Sequence, residues 1–203
     1  MLSLTKELEN KIRYKGKEYK LDLAFDVVLR WYELLEDPEM SSAEKLVTAF
    51  KMFLPDVKTT DGNFVVEAVE NISKYVAETP YGNYDDEIAD NTSDEDPIRY
   101  YSYQQDAGII YASFLQDYGI DLIDQQGKLH WDKFRALLDG LSDNTPFQKV
   151  VQIRMTDTSK LEGEELNRMI ELQDYYQLDS MRSVKNQNQG MNDFFNALAQ
   201  TSK

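Results

Sequence analysis

The stretch Asp106-Ala-Gly-Ile-Ile-Tyr-Ala-Ser-Phe-Leu-Gln-Asp-Tyr118, followed across a polar joint by Trp131-Asp-Lys-Phe-Arg-Ala-Leu-Leu-Asp-Gly-Leu141, decides how this chain is read. Apolar side chains recur in both segments at helical spacing, so each predicts an amphipathic helix. Ala107, Tyr111, Phe114, Leu115 and Tyr118 form the first stripe; Trp131, Phe134, Leu138 and Leu141 form the second. The two faces are expected to pack on each other as core rather than to line a cofactor pocket. Gly119 is placed to end the first helix in the left-handed conformation.

The joint between them invites two functional readings, and spacing rejects both. Gly127, Leu129 and Phe134 match the glycine, the hydrophobic position and the exit aromatic of a calcium loop. That alignment puts Leu122 at the first carboxylate and Lys133 at the bidentate acid, which leaves too few oxygen ligands. His130 is the only imidazole in the chain, so a two-histidine metal site is impossible and any catalytic triad would have to use it. Its place at a helix start, beside Trp131, fits a neutral capping or packing ring better than a general base.

Working outward, Ile12, Tyr14, Tyr19, Leu21 and Leu23 alternate with polar neighbours about Lys15-Gly16, the period-two pattern of a short hairpin. Asp26 is placed to cap a helix carrying Val27, Val28, Trp31, Leu34 and Leu35, which should stop before Pro38. Ser41 and Glu44 form a capping-box pattern ahead of Leu46, Ala49, Phe50 and Phe53, with Pro55 as terminator. After a turn at Asp61-Gly62-Asn63, Phe64, Val65, Ala68, Val69, Ile72 and Val76 predict a third helix. Thr145-Pro146 opens a helix bearing Phe147, Val150, Val151 and Arg154. Glu164 and Glu165 open another through Leu166, Met169, Ile170 and Tyr176, with Arg182 and Lys185 near its end.

Residues 80–97 lose periodicity and hold Asp85, Asp86, Glu87, Asp90, Asp94, Glu95 and Asp96 without a basic residue among them, which marks an acidic linker rather than a metal site. Residues 183–190 are polar, and Met191, Phe194, Phe195 and Leu198 then form a last short amphipathic stripe. The expectation is a mainly α multi-helix bundle with a small N-terminal β-hairpin. Its parts are residues 1–79, an acidic linker 80–97, a helical part 98–182 containing the central helix-loop-helix, and a linker with tail helix over 183–203.

A formal net charge of −15 lacks the clustered cations that a phosphate backbone requires, so nucleic acid is not the expected partner. The absence of cysteine removes disulfides and thiolate chemistry and fits a reducing cytoplasm. No stretch approaches the ~20 apolar residues of a membrane span, and the apolar run among residues 1–10 is too short for the expectation of a signal peptide. Phosphate-binding glycine loops and a G-x-S-x-G elbow are missing from the sequence. The expectation is a soluble protein without catalytic residues, metal or cofactor, which works by contact.

Gln105-Asp106-Ala107, Tyr111-Ala112-Ser113-Phe114, Tyr118-Gly119-Ile120-Asp121-Leu122 and Leu129-His130-Trp131-Asp132-Lys133-Phe134 stand in a characteristic order. Together with Tyr19-Lys20-Leu21-Asp22, Phe25, Val28-Leu29-Arg30 and Ile153-Arg154, this order resembles the bacteriophage gene-product-fifteen family of siphophages infecting Gram-positive hosts. The resemblance implies a tail assembly chaperone that acts on the tape-measure protein in the host cytoplasm before tail-tube polymerisation and is absent from the mature virion. Expected partner contacts are Met191, Phe194, Phe195 and Leu198, with any uncovered face of Trp31, Tyr32, Phe50 or Phe53, because Met and aromatic residues supply adaptable contact area. Two alternatives remain at this stage: an acidic decoy for a basic host nucleic-acid-binding protein, and a minor structural tail protein. Other tail assembly proteins as partners, and homo-oligomerisation, are also left open by the sequence.

Overall fold

The computed structural model describes residues 2–59, 61–77 and 100–179. Seven α-helices and one two-stranded antiparallel sheet occur among them, so the protein is mainly helical with a small N-terminal hairpin. The chain divides into two compact units. Within the described residues the first takes 2–59, 61–77 and 126–136, and the second takes 100–125 and 137–179. Residues 126–136, which the sequence expectation assigned to the 98–182 part, therefore belong with the N-terminal elements.

Unit one opens with β1 (Lys11–Tyr14) and β2 (Lys17–Lys20), paired in the register Lys11↔Lys20, Ile12↔Tyr19, Arg13↔Glu18 and Tyr14↔Lys17. Lys15 and Gly16 both adopt positive φ, at 46° and 79°, which gives the two-residue turn the twist that matches its strands. The inner face of the hairpin stacks Tyr14 on Phe64 and tilts Tyr19 against the same ring, with ring centroids at 4.4 and 4.7 Å. Three helices complete this part: α1 (Phe25–Glu36), α2 (Ser42–Phe53) and α3 (Gly62–Ala77).

Each helix buries most of the stripe that its periodicity announced, with Leu34 and Val65 only half-buried. Phe25, Val27, Val28, Trp31 and Leu35 are buried on α1, Leu46, Ala49, Phe50 and Phe53 on α2, and Phe64, Ala68, Val69, Ile72 and Val76 on α3. Trp31 meets Phe53 edge-on at 6.2 Å. Two of the expected helix starts hold: Ser41 and Glu44 form the reciprocal capping box, and Thr145 accepts the Gln148 amide ahead of Pro146. Two are corrected. Helix α1 starts two residues early, at Phe25, behind Ala24, whose side chain makes no cap. Asp26 lies in the first turn, where one carboxylate oxygen pairs with Arg30 and the other accepts the Gly127 amide at 2.7 Å. Gly62 and Asn63 are already helical, and Asp61 caps α3 by accepting the Phe64 amide.

Unit two contains α4 (Ala107–Tyr118), α6 (Pro146–Met155), a 3-10 turn at Thr158–Lys160 and α7 (Gly163–Tyr175). Between α4 and α6 in sequence comes α5 (Trp131–Asp139), which the division cuts after Ala136. Gly119 takes φ 64°, and its amide closes the end of α4 on Leu115 and Phe114, the left-handed cap that the sequence predicted. Helix α4 packs on α6, and α7 packs on α6 and on the 3-10 turn.

Candidate interaction surfaces and the joints beneath them

The Leu129-His130-Trp131-Asp132-Lys133-Phe134 segment is a structural joint of unit one. Its backbone bridges antiparallel to Leu23-Ala24-Phe25: the Phe25 amide donates to the Leu129 carbonyl at 2.9 Å, and the Trp131 amide donates to Leu23 at 2.8 Å. His130 Nδ1 accepts the Asp132 amide at 3.1 Å, which requires the neutral ring with hydrogen on Nε2, and Nε2 lies 2.9 Å from the Glu9 carbonyl oxygen. The only imidazole thus caps α5 and ties down the N-terminal segment, as its sequence setting predicted. Trp131 and Phe134 are buried, stacked at 5.7 Å, and Phe134 stacks in turn on Phe25 at 4.8 Å.

The first turns of α5 complete the core of α1 and α3, and beyond them the Tyr118 hydroxyl of α4 donates to the Leu137 carbonyl at 2.9 Å. Trp131 Nε1 donates to the Val76 carbonyl, and Asp132 accepts the Tyr75 hydroxyl at 2.7 Å and Arg135 Nη2 at 3.2 Å. Burial pushes the Asp132 carboxyl up, but the hydrogen bonds from Tyr75 and Arg135 hold it below its ordinary value, while burial and the same carboxylate push the Tyr75 hydroxyl up. The stripe on α4 differs from the expected one, since Leu115 is exposed and Ala107 faces solvent while Ile110, Ser113 and Phe114 are buried.

Unit two is organised around a polar anchor that periodicity could not reveal. Arg154 grips Asp106 with two parallel hydrogen bonds of 2.7 and 2.9 Å, and their side chains are only 8% and 4% exposed. The same guanidinium donates to the Tyr100 and Tyr176 carbonyls at 2.9 and 2.6 Å, and Asp106 also accepts the Ser102 amide. One ion pair therefore fastens the segment before α4, the start of α4, the end of α6 and the end of α7. Gln173 reinforces it from α7 by donating to the Ile153 and Thr156 carbonyls. Buried Ser113 accepts the Phe147 amide at 3.0 Å and donates to Ile109, joining α4 to α6.

The joint after α4 is held by backbone capping. Asp121 accepts the Ile123 and Asp124 amides and the Tyr111 hydroxyl, and that hydrogen bond, with burial, raises the Tyr111 hydroxyl above its ordinary value. Among the described residues no group of three or more acidic or histidine side chains is arranged to hold a metal ion.

The model of the Bacteriophage Gp15 protein family matches residues 4–178. The chain belongs to that family. No curated protein and no solved structure matches it. The segments that carried the family resemblance now have physical roles: Asp106 and Arg154 form the anchor of this Gp15 chain, Ser113 joins two of its helices, and the His130 segment closes its first unit.

The expected contact residues fare differently from one another. Met191, Phe194, Phe195 and Leu198 lie outside the described residues. Trp31, Phe50 and Phe53 are buried, with Trp31 and Phe53 at 0% exposure, so they leave no face uncovered. Tyr32 is half-buried, with its ring 6.0 Å from Trp131. Apolar side chains that do reach solvent were missed by sequence reasoning and lie mostly on unit two: Leu115, Ile123, Met155, Ile170 and Tyr175. Helix α7 has no buried residue, although Leu166, Met169, Ile170 and Leu172 give it an apolar stripe. No described helix is long and apolar enough to cross a membrane.

Proposed function

We propose that this Gp15 family protein is a tail assembly chaperone that binds the tape-measure protein and keeps it soluble before tail-tube polymerisation. The single observation that carries the reading beyond family membership is the apolar surface of unit two, where Met155, Ile170 and Tyr175 are 56%, 50% and 79% exposed on α6 and α7. Exposed apolar side chains of this size serve association when they meet a complementary apolar partner. A long helical client whose repeats are not yet covered by tube subunits supplies such a partner through the helix-in-groove mode. The reading involves no catalytic step, cofactor, nucleic acid or membrane. Its place of action is the host cytoplasm, and the protein leaves before the virion matures.

Co-expression with the tape-measure protein of the same phage tests the proposal. The expected outcome is that the client shifts from the insoluble to the soluble fraction and co-purifies, and that Ile170→Ser/Tyr175→Ser reduces both effects. A client equally insoluble with and without the chaperone overturns the reading, and so does abundant protein in purified virions.

A further inference from the structure

The charge of the chain is unevenly placed. Residues 11–20 hold Lys11, Arg13, Lys15, Lys17 and Lys20 against the single acid Glu18, in a chain of net −15. The sheet register sets Lys11 directly across from Lys20, and Arg13 across from Glu18. Like charges opposite each other on a sheet are destabilising, so the fold tolerates a cationic strip that its own stability does not favour. Glu18 is shared by Lys11 and Arg13, and Lys15 pairs with Asp61, whereas Lys17 and Lys20 have no ion pair among the described residues.

Helix α7 is the complement. It carries Glu164, Glu165, Glu171 and Asp174 with one cation, Arg168, and none of the four acids is in an ion pair among the described residues. Helical spacing puts Glu164, Glu171 and Asp174 on the side away from half-buried Leu166, Met169 and Gln173. Each copy therefore presents one cationic strip and one anionic helix.

We propose that the basic face of the β1–β2 hairpin of one copy docks on the acidic face of α7 of a second copy. The two patches are different surfaces, so the contact is heterologous, and every copy has a further strip and a further helix to offer. Association of this kind is electrostatic between exposed charges and weakens as salt shortens the screening length. The same face of α7 carries exposed Tyr175, which the chaperone reading assigns to the client, so the test uses the chain alone, where self-association is read without client binding.

Sedimentation of the full chain over a range of concentrations, at low and high ionic strength, tests this with two charge-reversed variants. One is Lys11→Glu/Lys20→Glu, the cross-strand pair on the hairpin face turned away from Tyr14 and Tyr19, and the other is Glu164→Lys/Glu171→Lys; circular dichroism checks that each variant folds. The wild type is expected to self-associate at low salt and to become monomeric at high salt. Each variant alone is expected to associate about tenfold more weakly, or less still, as two exposed pairs become repulsions. An equal mixture of the two restores association, because the acidic hairpin of one meets the basic helix of the other while the unaltered patches also match. A wild type monomeric at low salt, association that survives either reversal, or a mixture no larger than its components overturns the proposal.

Discussion

Unit one closes over an apolar interior in which Trp31, Phe53, Phe64, Ile72, Trp131 and Phe134 are all at or below 2% exposure, and its exposed large apolar side chains are Leu2, Leu4 and Val47, two of them in the N-terminal segment before the hairpin. Unit two buries a shorter set, Ile110, Phe114, Leu122, Leu138, Leu141, Phe147 and Val150, and leaves Leu115, Ile123, Met155, Ile170 and Tyr175 in solvent. What unit two lacks in burial it recovers through directed polar contacts, chiefly Arg154 with Asp106 and with two backbone carbonyls. The difference teaches that a small helical unit can be fixed by one desolvated guanidinium at its centre. Apolar area then remains for a partner instead of being spent on the core.

The largest effects should come from removing the central element of each unit. Trp31→Ala and Arg154→Ala are each expected to cost about 3–5 kcal/mol, the first by opening a cavity and the second by leaving Asp106 charged, buried and unpaired. Hydrogen exchange should locate the first loss in α1 to α3 and the second in α4, α6 and α7. Replacing the pair by Asp106→Leu/Arg154→Met should recover only part of the cost, because the Tyr100 and Tyr176 carbonyls lose their donor. Full recovery would show that the ion pair, and not the carbonyl bridging, organises unit two.

A smaller effect separates the units by pH. The Asp132 carboxyl of unit one is held below its ordinary value, so its contribution is fully present above the unfolded carboxylate value of about 3.9 and is lost as pH falls through the lower folded value. Asp132→Asn is expected to lower thermal stability at neutral pH and to flatten its decline on acidification below about pH 5, measured by thermal melts across that window. An unchanged acid slope would mean that carboxylates elsewhere dominate.

The smallest expected change in stability is on the exposed surface of unit two. Ile170→Ser and Tyr175→Ser should each shift unfolding by no more than about 0.5 kcal/mol, since both side chains are at least half exposed. A loss well above that in chemical denaturation would mean these side chains belong to the unit's own packing, and the contrast between a closed and an open unit would then fail.

Much of unit one was legible because its rules are local. The alternation about Lys15-Gly16, the Ser41 and Glu44 capping box and the stripe ending at Phe53 each depend on neighbours a few positions apart. The start of α1 was misjudged because Asp26 gives its oxygens to Arg30 and to Gly127, a residue far away in sequence. Contact residues were harder still: aromatic type nominated Trp31, yet Trp31 is fully buried, whereas Tyr175 is 79% exposed. Composition weighs both alike, and only packing separates them.

By itself the sequence determined the helical class, the hairpin and the family order, and it placed His130 at a helix start, since these follow from periodicity, turn chemistry and near-neighbour hydrogen bonding. Tertiary structure alone decided where α5 belongs: its Trp131 and Phe134 turn completes the first unit, and Leu138 counts with the second. It alone also brought Arg154 onto Asp106, from the end of one helix to the start of another. The physical reason is the same in both cases. A stripe or a charge states what must be covered or neutralised, while its partner is chosen by elements far away in the chain.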